Sequence, residues 1–301
     1  MEELPRLIEL TSRIKENPRG YSSALVGKSV ALIFEKHSTR TRVSLEVAVS
    51  SMGGHPLYLP KEQLQLGRGE PIEDTARVLS GMVDAIAYRA YSHETMLRLA
   101  LNSDVPVINA LDDEEHPLQA LADVYTIQEL KGRVRGLKVA FVGDGNNVMV
   151  SLMLAVTSLG GDFWAAIPEG YDPPEEKVAI AEELASSAGG SVRIVRDPVE
   201  AVRDADVVYT DVWISMGQEA EREKRLRDFA PYRVDEKLVS HAKEDFIFMH
   251  CLPAHRGEEV TPGVIDGPHS VVWRQAWNRL HTAKAVLARL LAPGLVGAPF
   301  E

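Results

Sequence analysis

"SVALIFEKHSTRTRVSLE", Ser29 to Glu46, decides the fold. Ser29 to Phe34 is an apolar run of strand length, and the residues after it turn polar and begin a helix near Ser38. An apolar strand running directly into a helix is the repeating joint of a parallel sheet with helices on both faces. The same joint recurs along the chain. Strands are expected at His55 to Leu59, Ala85 to Arg89 and Val105 to Ala110. A second series is expected at Lys138 to Gly143, Asp162 to Pro168, Ser191 to Val195, Asp206 to Asp211 and Phe246 to His250. The fold class that follows is α/β, with two doubly wound units, each around a central parallel sheet. "QALADVYTIQEL", Gln119 to Leu130, has helical spacing, and "KGRVRG", Lys131 to Gly136, is the expected junction. The domains are therefore placed at 1–131 and 132–273, followed by a helix at 274–291 that ends before Pro293 and Gly294.

Bulk properties exclude several classes. The chain has 301 residues, 45% apolar and 26% charged, an ordinary globular balance. A net charge of −11 disfavours nonspecific attraction to nucleic acid or to acidic membranes. An anion site must then be built locally, against the global field. Cys251 is the only cysteine, which rules out an intrachain disulfide and suits a reducing, cytoplasmic compartment. The N-terminal stretch lacks the basic and apolar regions of a signal peptide, and no apolar run reaches the roughly 18 residues of a membrane span.

The candidate site residues sit where strands end. Ser38, Thr39 and Thr41 place hydroxyls and backbone N–H groups at the positive end of a helix dipole, and Arg40 adds a fork of donors. Together they suit a phosphate; the alternative is a serine cap followed by solvated arginines. Arg89 ends an otherwise apolar strand. His116 and Gln119, in "HPLQ", stand at a helix start after the strand at 105–110. There they suit a carbonyl oxygen and an amide nitrogen. "VAFVGDGNNV", Val139 to Val148, competes as a dinucleotide fingerprint, but Val148 stands where a third glycine belongs, and Asn146–Asn147 is polar where a pyrophosphate needs bare backbone. Two segments after strands, 61–74 and 215–232, are polar or glycine-bearing and have the length of lids.

"STRTR", the strand-terminal Arg89 and "HPLQ" together resemble the aspartate and ornithine carbamoyltransferase family over nearly the whole chain. "GDGNNV", "DVWISMG" and "HCLP" resemble its ornithine branch. The resemblance implies a first domain for carbamoyl phosphate and a second for L-ornithine, with citrulline and phosphate as products, no cofactor and no metal. For carbamoyl phosphate it implies Ser38, Thr39, Arg40, Thr41, Gln65, Arg89, His116, Gln119, Cys251, Leu252 and Arg279. Arg40, Arg89, His116 and Cys251 would be catalytic. For ornithine it implies Asn147, Asp211, Ser215 and Met216. It also implies a homotrimer, or a multiple of trimers, in which Gln65 reaches a neighbour's site. An amine other than ornithine, such as putrescine or lysine, and a catalytically silent relative remain alternatives. His37 and Leu118 depart from the family pattern, and neither side chain carries an assigned role.

Overall fold

The computed structural model describes residues 3–215 and 219–296. The chain divides into two compact units, Met1–Ala122 with Trp277–Glu301, and Asp123–Ala276. The boundaries fall inside the helices Pro117–Lys131 and Val272–Leu291.

The first unit holds β1 (Ser29–Phe34), β2 (His55–Pro60), β3 (Ala85–Arg89) and β4 (Val107–Leu111). All pair in parallel, in the order β2-β1-β3-β4. Both faces of β1 are covered. Val30, Leu32 and Phe34 pack with Leu45, Val49 and Leu287, whereas Ala31 and Ile33 pack on the opposite side with Ile72, Met96 and Leu99. This two-sided burial explains why the strand reads as an unbroken apolar run rather than an alternation. Each large side chain so buried contributes about 1.5–3 kcal/mol. The chain passes from β1 to β2 on one side and reaches β3 on the other, so the order reverses between β1 and β3. Open parallel sheets bind ligands at that switch, beyond the carboxyl ends of the strands. Phe34 and Arg89 are register partners there.

The second unit holds β5 (Lys138–Val142), β6 (Asp162–Ala166), β7 (Ser191–Val195), β8 (Val207–Thr210) and β9 (Ile247–His250). These are also parallel, in the order β7-β6-β5-β8-β9. Here the switch lies between β5 and β8, which are followed directly by Gly143 and Asp211.

Strand existence follows the sequence reading, and the ends differ by one or two residues. β4 starts at Val107 because Pro106 has no N–H to give the ladder. The two loop segments are more structured than expected. Residues 61–74 contain single turns at Lys61–Gln63 and Gln65–Arg68 and the start of the helix Ile72–Ser80. Residues 222–229 form the helix Arg222–Phe229.

Candidate active site

In the first unit, the helix after β1 runs Arg40–Ser51, two residues later than Ser38. Ser38 remains its cap in effect, because its Oγ accepts from the N–H of Thr41 at 3.2 Å. The first turn carries Arg40 and Arg42 and no acidic residue. That reverses the preference of a helix N-terminus, which favours negative charge, and it suits a site whose negative charge comes from a ligand. Arg42 is diverted from such a role. It bonds Glu46 at 3.3 Å and lies 3.4 Å from the ring centre of Tyr58. Glu35 pairs with Lys61 at 2.7 Å, whereas Lys36 sits 4.8 Å above the ring of Tyr91. The basic cluster thus splits, with Arg42 and Lys36 drawn to Tyr58 and Tyr91.

Arg89 closes β3 and is buried. The register shifts between Tyr88 and Arg89, opposite Leu111, whose φ is 148°. Beyond Leu111, the carboxylate of Asp112 accepts from the N–H groups of Glu114 and Glu115 at 2.9 and 2.7 Å. It also bonds Asn109 at 2.8 Å and His93 at 2.7 Å. This knot shapes the loop that delivers His116 to the start of the helix Pro117–Lys131. His116 is buried, and burial together with the charges of Arg279, Arg89 and Arg40 holds its imidazole well below the usual histidine range. Near neutral pH it is therefore uncharged and offers one ring N–H as a donor.

Arg279 ties these parts together. Its Nη2 donates to Thr41 Oγ1 at 2.7 Å and its Nη1 donates to Gln119 Oε1, with all three residues buried. The Gln119 oxygen expected to receive an amide N–H thus already accepts from Arg279. Gln65 lies apart from this group, exposed on the turn Gln65–Arg68.

In the second unit, Asp211 follows β8 and is 4% exposed. Its Oδ1 accepts from the thiol of Cys251 at 2.9 Å, and its Oδ2 accepts from the side-chain amide of Asn146 at 2.9 Å. Asn147 opens the helix Asn147–Ser158. Gly145 must be glycine: a Cβ there would lie 2.5 Å from backbone atoms of Tyr171 and Pro173. Leu252 adopts a left-handed φ of 59°, and its N–H donates to His250 Nδ1 at 2.8 Å. That bond fixes the proton on Nε2, which faces Glu259 at 3.1 Å. The Asp211–His250–Cys251 trio could offer metal ligands, but both ring nitrogens of His250 are committed in this way. Ser215 is half-buried, and Met216 lies outside the described residues.

A buried ion pair supports this half of the site. Arg225 Nη1 bonds Asp144 at 2.8 Å and the carbonyl of Trp213 at 2.9 Å. It thereby links the helix Arg222–Phe229 to both segments that carry candidate residues. Burial pushes the Asp144 carboxyl up, against the pull of Arg225. Sequence reasoning missed Arg225 because "REKRLRDF" looks like a solvated helix face. It also missed Asn146, which entered only as half of a polar pair where a pyrophosphate needs bare backbone.

Two α/β units, one with arginines and hydroxyls at the carboxyl ends of its strands and the other with a carboxylate bonded to a thiol there, have the makings of a transferase. Residues 1–129 match the family described as "Aspartate/ornithine carbamoyltransferase, carbamoyl-P binding domain", and residues 135–290 match its "Asp/Orn binding domain". An anabolic ornithine carbamoyltransferase from Pyrococcus furiosus is 60% identical, covering 89% of this chain and 85% of its own. A catabolic one from Thermoplasma acidophilum is 53% identical, covering 97% and 95%. The solved structure of ornithine carbamoyltransferase from Pyrococcus furiosus superposes with a TM-score of 0.93 at 57% identity, covering 97% of this chain and 94% of that one. The chain belongs to the aspartate/ornithine carbamoyltransferase family.

Proposed function

We propose that the chain transfers the carbamoyl group of carbamoyl phosphate to the side-chain amine of L-ornithine, giving L-citrulline and phosphate. The observation that carries the acceptor assignment is the buried Asp211 bonded to both Cys251 and Asn146. A zwitterionic amino acid with a side-chain amine needs an anion for its α-ammonium group and a soft acceptor near the reacting nitrogen. An aspartate acceptor would instead demand additional cations beside these residues.

In this reading Ser38, Thr39, Arg40 and Thr41 hold the phosphate. Arg89 and the uncharged His116 donate to the carbonyl oxygen, where charge develops as the amine adds. One such donor is worth about 2.7–4 kcal/mol when preorganised. The neutral δ-amine attacks the carbonyl carbon, the bond from that carbon to the phosphate oxygen breaks, and the departing phosphate takes the amine proton. Gln119 and the carbonyl groups of Cys251 and Leu252 orient the carbamoyl NH2. Asn147, Asp211, Ser215 and Met216 hold ornithine. Arg279 braces Thr41 and Gln119.

The test is direct. The purified chain, given carbamoyl phosphate with ornithine, putrescine, lysine or aspartate in separate reactions, should release phosphate and form a ureido product with ornithine alone. Absence of ornithine-dependent product would sink the assignment, and product with putrescine would move it to the other amine reading. The direction in metabolism is proposed to be arginine biosynthesis and the location cytoplasmic. Among the described residues no helix is long and apolar enough to cross a membrane.

The assembly is proposed to be a trimer, or a multiple of trimers, in which Gln65 completes a neighbour's phosphate site. Exposure of Gln65 on its short turn leaves it available to do so. Mixing inactive Arg40→Ala and Gln65→Ala chains should then restore activity, because some sites receive both native residues. Restored turnover absent from either parent is the expected result, and a mixture as silent as its parents rules out the shared site.

A further inference from the structure

We propose that Asn146 is a positioning residue for the amine site. Its donation to Asp211 assigns one carboxylate oxygen to itself, leaves the other to Cys251, and so determines which acceptor positions remain for the substrate's ammonium group. The inference rests on the ornithine reading of Asp211.

The orientation of the Asn146 amide follows from its own bonds. Oδ1 accepts from the N–H groups of Val148 and Met149 at 3.1 and 3.0 Å, capping the helix Asn147–Ser158. A carbonyl oxygen can make those two bonds and an NH2 group cannot, so Nδ2 is the end that meets Asp211 Oδ2 at 2.9 Å. Asp211 is buried, and among the described residues its partners are Asn146 and the Cys251 thiol. An ionised carboxylate offers about four acceptor positions, of which these two are filled. Capping alone does not explain the residue. Serine, threonine or aspartate would cap the helix as well, but none has a donor at the far end while its oxygen serves the backbone. Asparagine performs both tasks, because its oxygen and its nitrogen sit on opposite arms of one planar group. The cap fixes that plane, and the helix start thereby fixes the carboxylate.

Two substitutions separate the roles. Asn146→Asp and Asn146→Ser both keep a capping oxygen, and both lose the N–H aimed at Asp211; the aspartate also sets a second negative charge against it. Both are expected to raise KM for ornithine by about tenfold or more, the size of losing a hydrogen bond to a charged group. KM for carbamoyl phosphate and the melting temperature should hold. A second readout needs no turnover. Cys251 is the only thiol, so alkylation with iodoacetamide reports on it alone. Without the Asn146 donor, Asp211 holds the thiol proton more firmly, so alkylation should slow near neutral pH and its pH profile should move upward, furthest in Asn146→Asp. Wild-type ornithine KM and wild-type alkylation in both variants would show Asn146 to be a cap and nothing else. Should the wild-type chain prove inactive with ornithine, the substrate reading fails, while the alkylation profiles still decide the Asn146–Asp211–Cys251 contact.

Discussion

Arg279→Met is expected to lower kcat/KM by about a hundredfold or more, the size of losing the charge-assisted hydrogen bonds it gives to Thr41 and Gln119. The methionine keeps much of the apolar stem and the helix propensity of the helix Val272–Leu291, so the loss would reflect the guanidinium itself. That group is buried and bridges Thr41 and Gln119. Without it, two polar side chains assigned to carbamoyl phosphate lose the donor that orients them. Lysine should rescue poorly, because a point charge on a flexible stem does not reproduce a planar fork. The variant should also change the pH dependence. Arg279 is one of three cations that, after burial, keep His116 uncharged. Removing it lets the imidazole pKa rise, so activity should begin to fall at a higher pH than in the wild type as the solution is acidified. Phosphate release measured across pH checks both expectations. Near wild-type turnover would show that Thr41 and Gln119 need no brace.

Arg225→Met should have the largest effect on the stability of the second unit. Its partner Asp144 is 8% exposed and Arg225 itself 7%, so the substitution leaves a buried carboxylate with no countercharge. Breaking such a pair from one side costs about 3–5 kcal/mol. The double substitution Arg225→Met with Asp144→Asn removes the orphaned charge as well as the pair, and should recover a substantial part of that loss. The same guanidinium holds the Trp213 carbonyl, between Asp211 and Ser215 in sequence. Ornithine KM should therefore rise in both variants, while recovery of stability appears only in the double one. Urea unfolding followed by tryptophan emission, together with ornithine titrations, separates the two consequences. Equal stability of the single variant and the wild type would mean that water reaches Asp144 more readily than its burial implies.

The alternation of apolar runs with helical spacing was legible in the sequence because both patterns are local: a strand buried on two faces is apolar throughout, and a helix start declares itself within a few residues. For the same reason Ser38 to Thr41, Arg89 and His116 could be picked out as strand-end candidates from the sequence, whereas the family resemblance supplied Asp211 and Cys251. Chain order places them beyond the carboxyl ends of parallel strands, and a parallel sheet gathers those ends along one edge. Other features have no local signature. Arg279 meets Thr41 across 238 residues of sequence, and Arg225 meets Asp144 across 81. Lys61 rather than Lys36 reaches Glu35, although Lys36 is its neighbour in the chain. Asn146 likewise bonds Asp211, 65 residues away. Backbone periodicity is set by neighbours, so sequence alone determined the two sheets, and the family resemblance rested on short motifs such as "STRTR" and "HCLP". Which buried cation answers which polar group is settled when the helices are packed on their sheets, because a charge taken out of water must find its partner wherever folding has placed one.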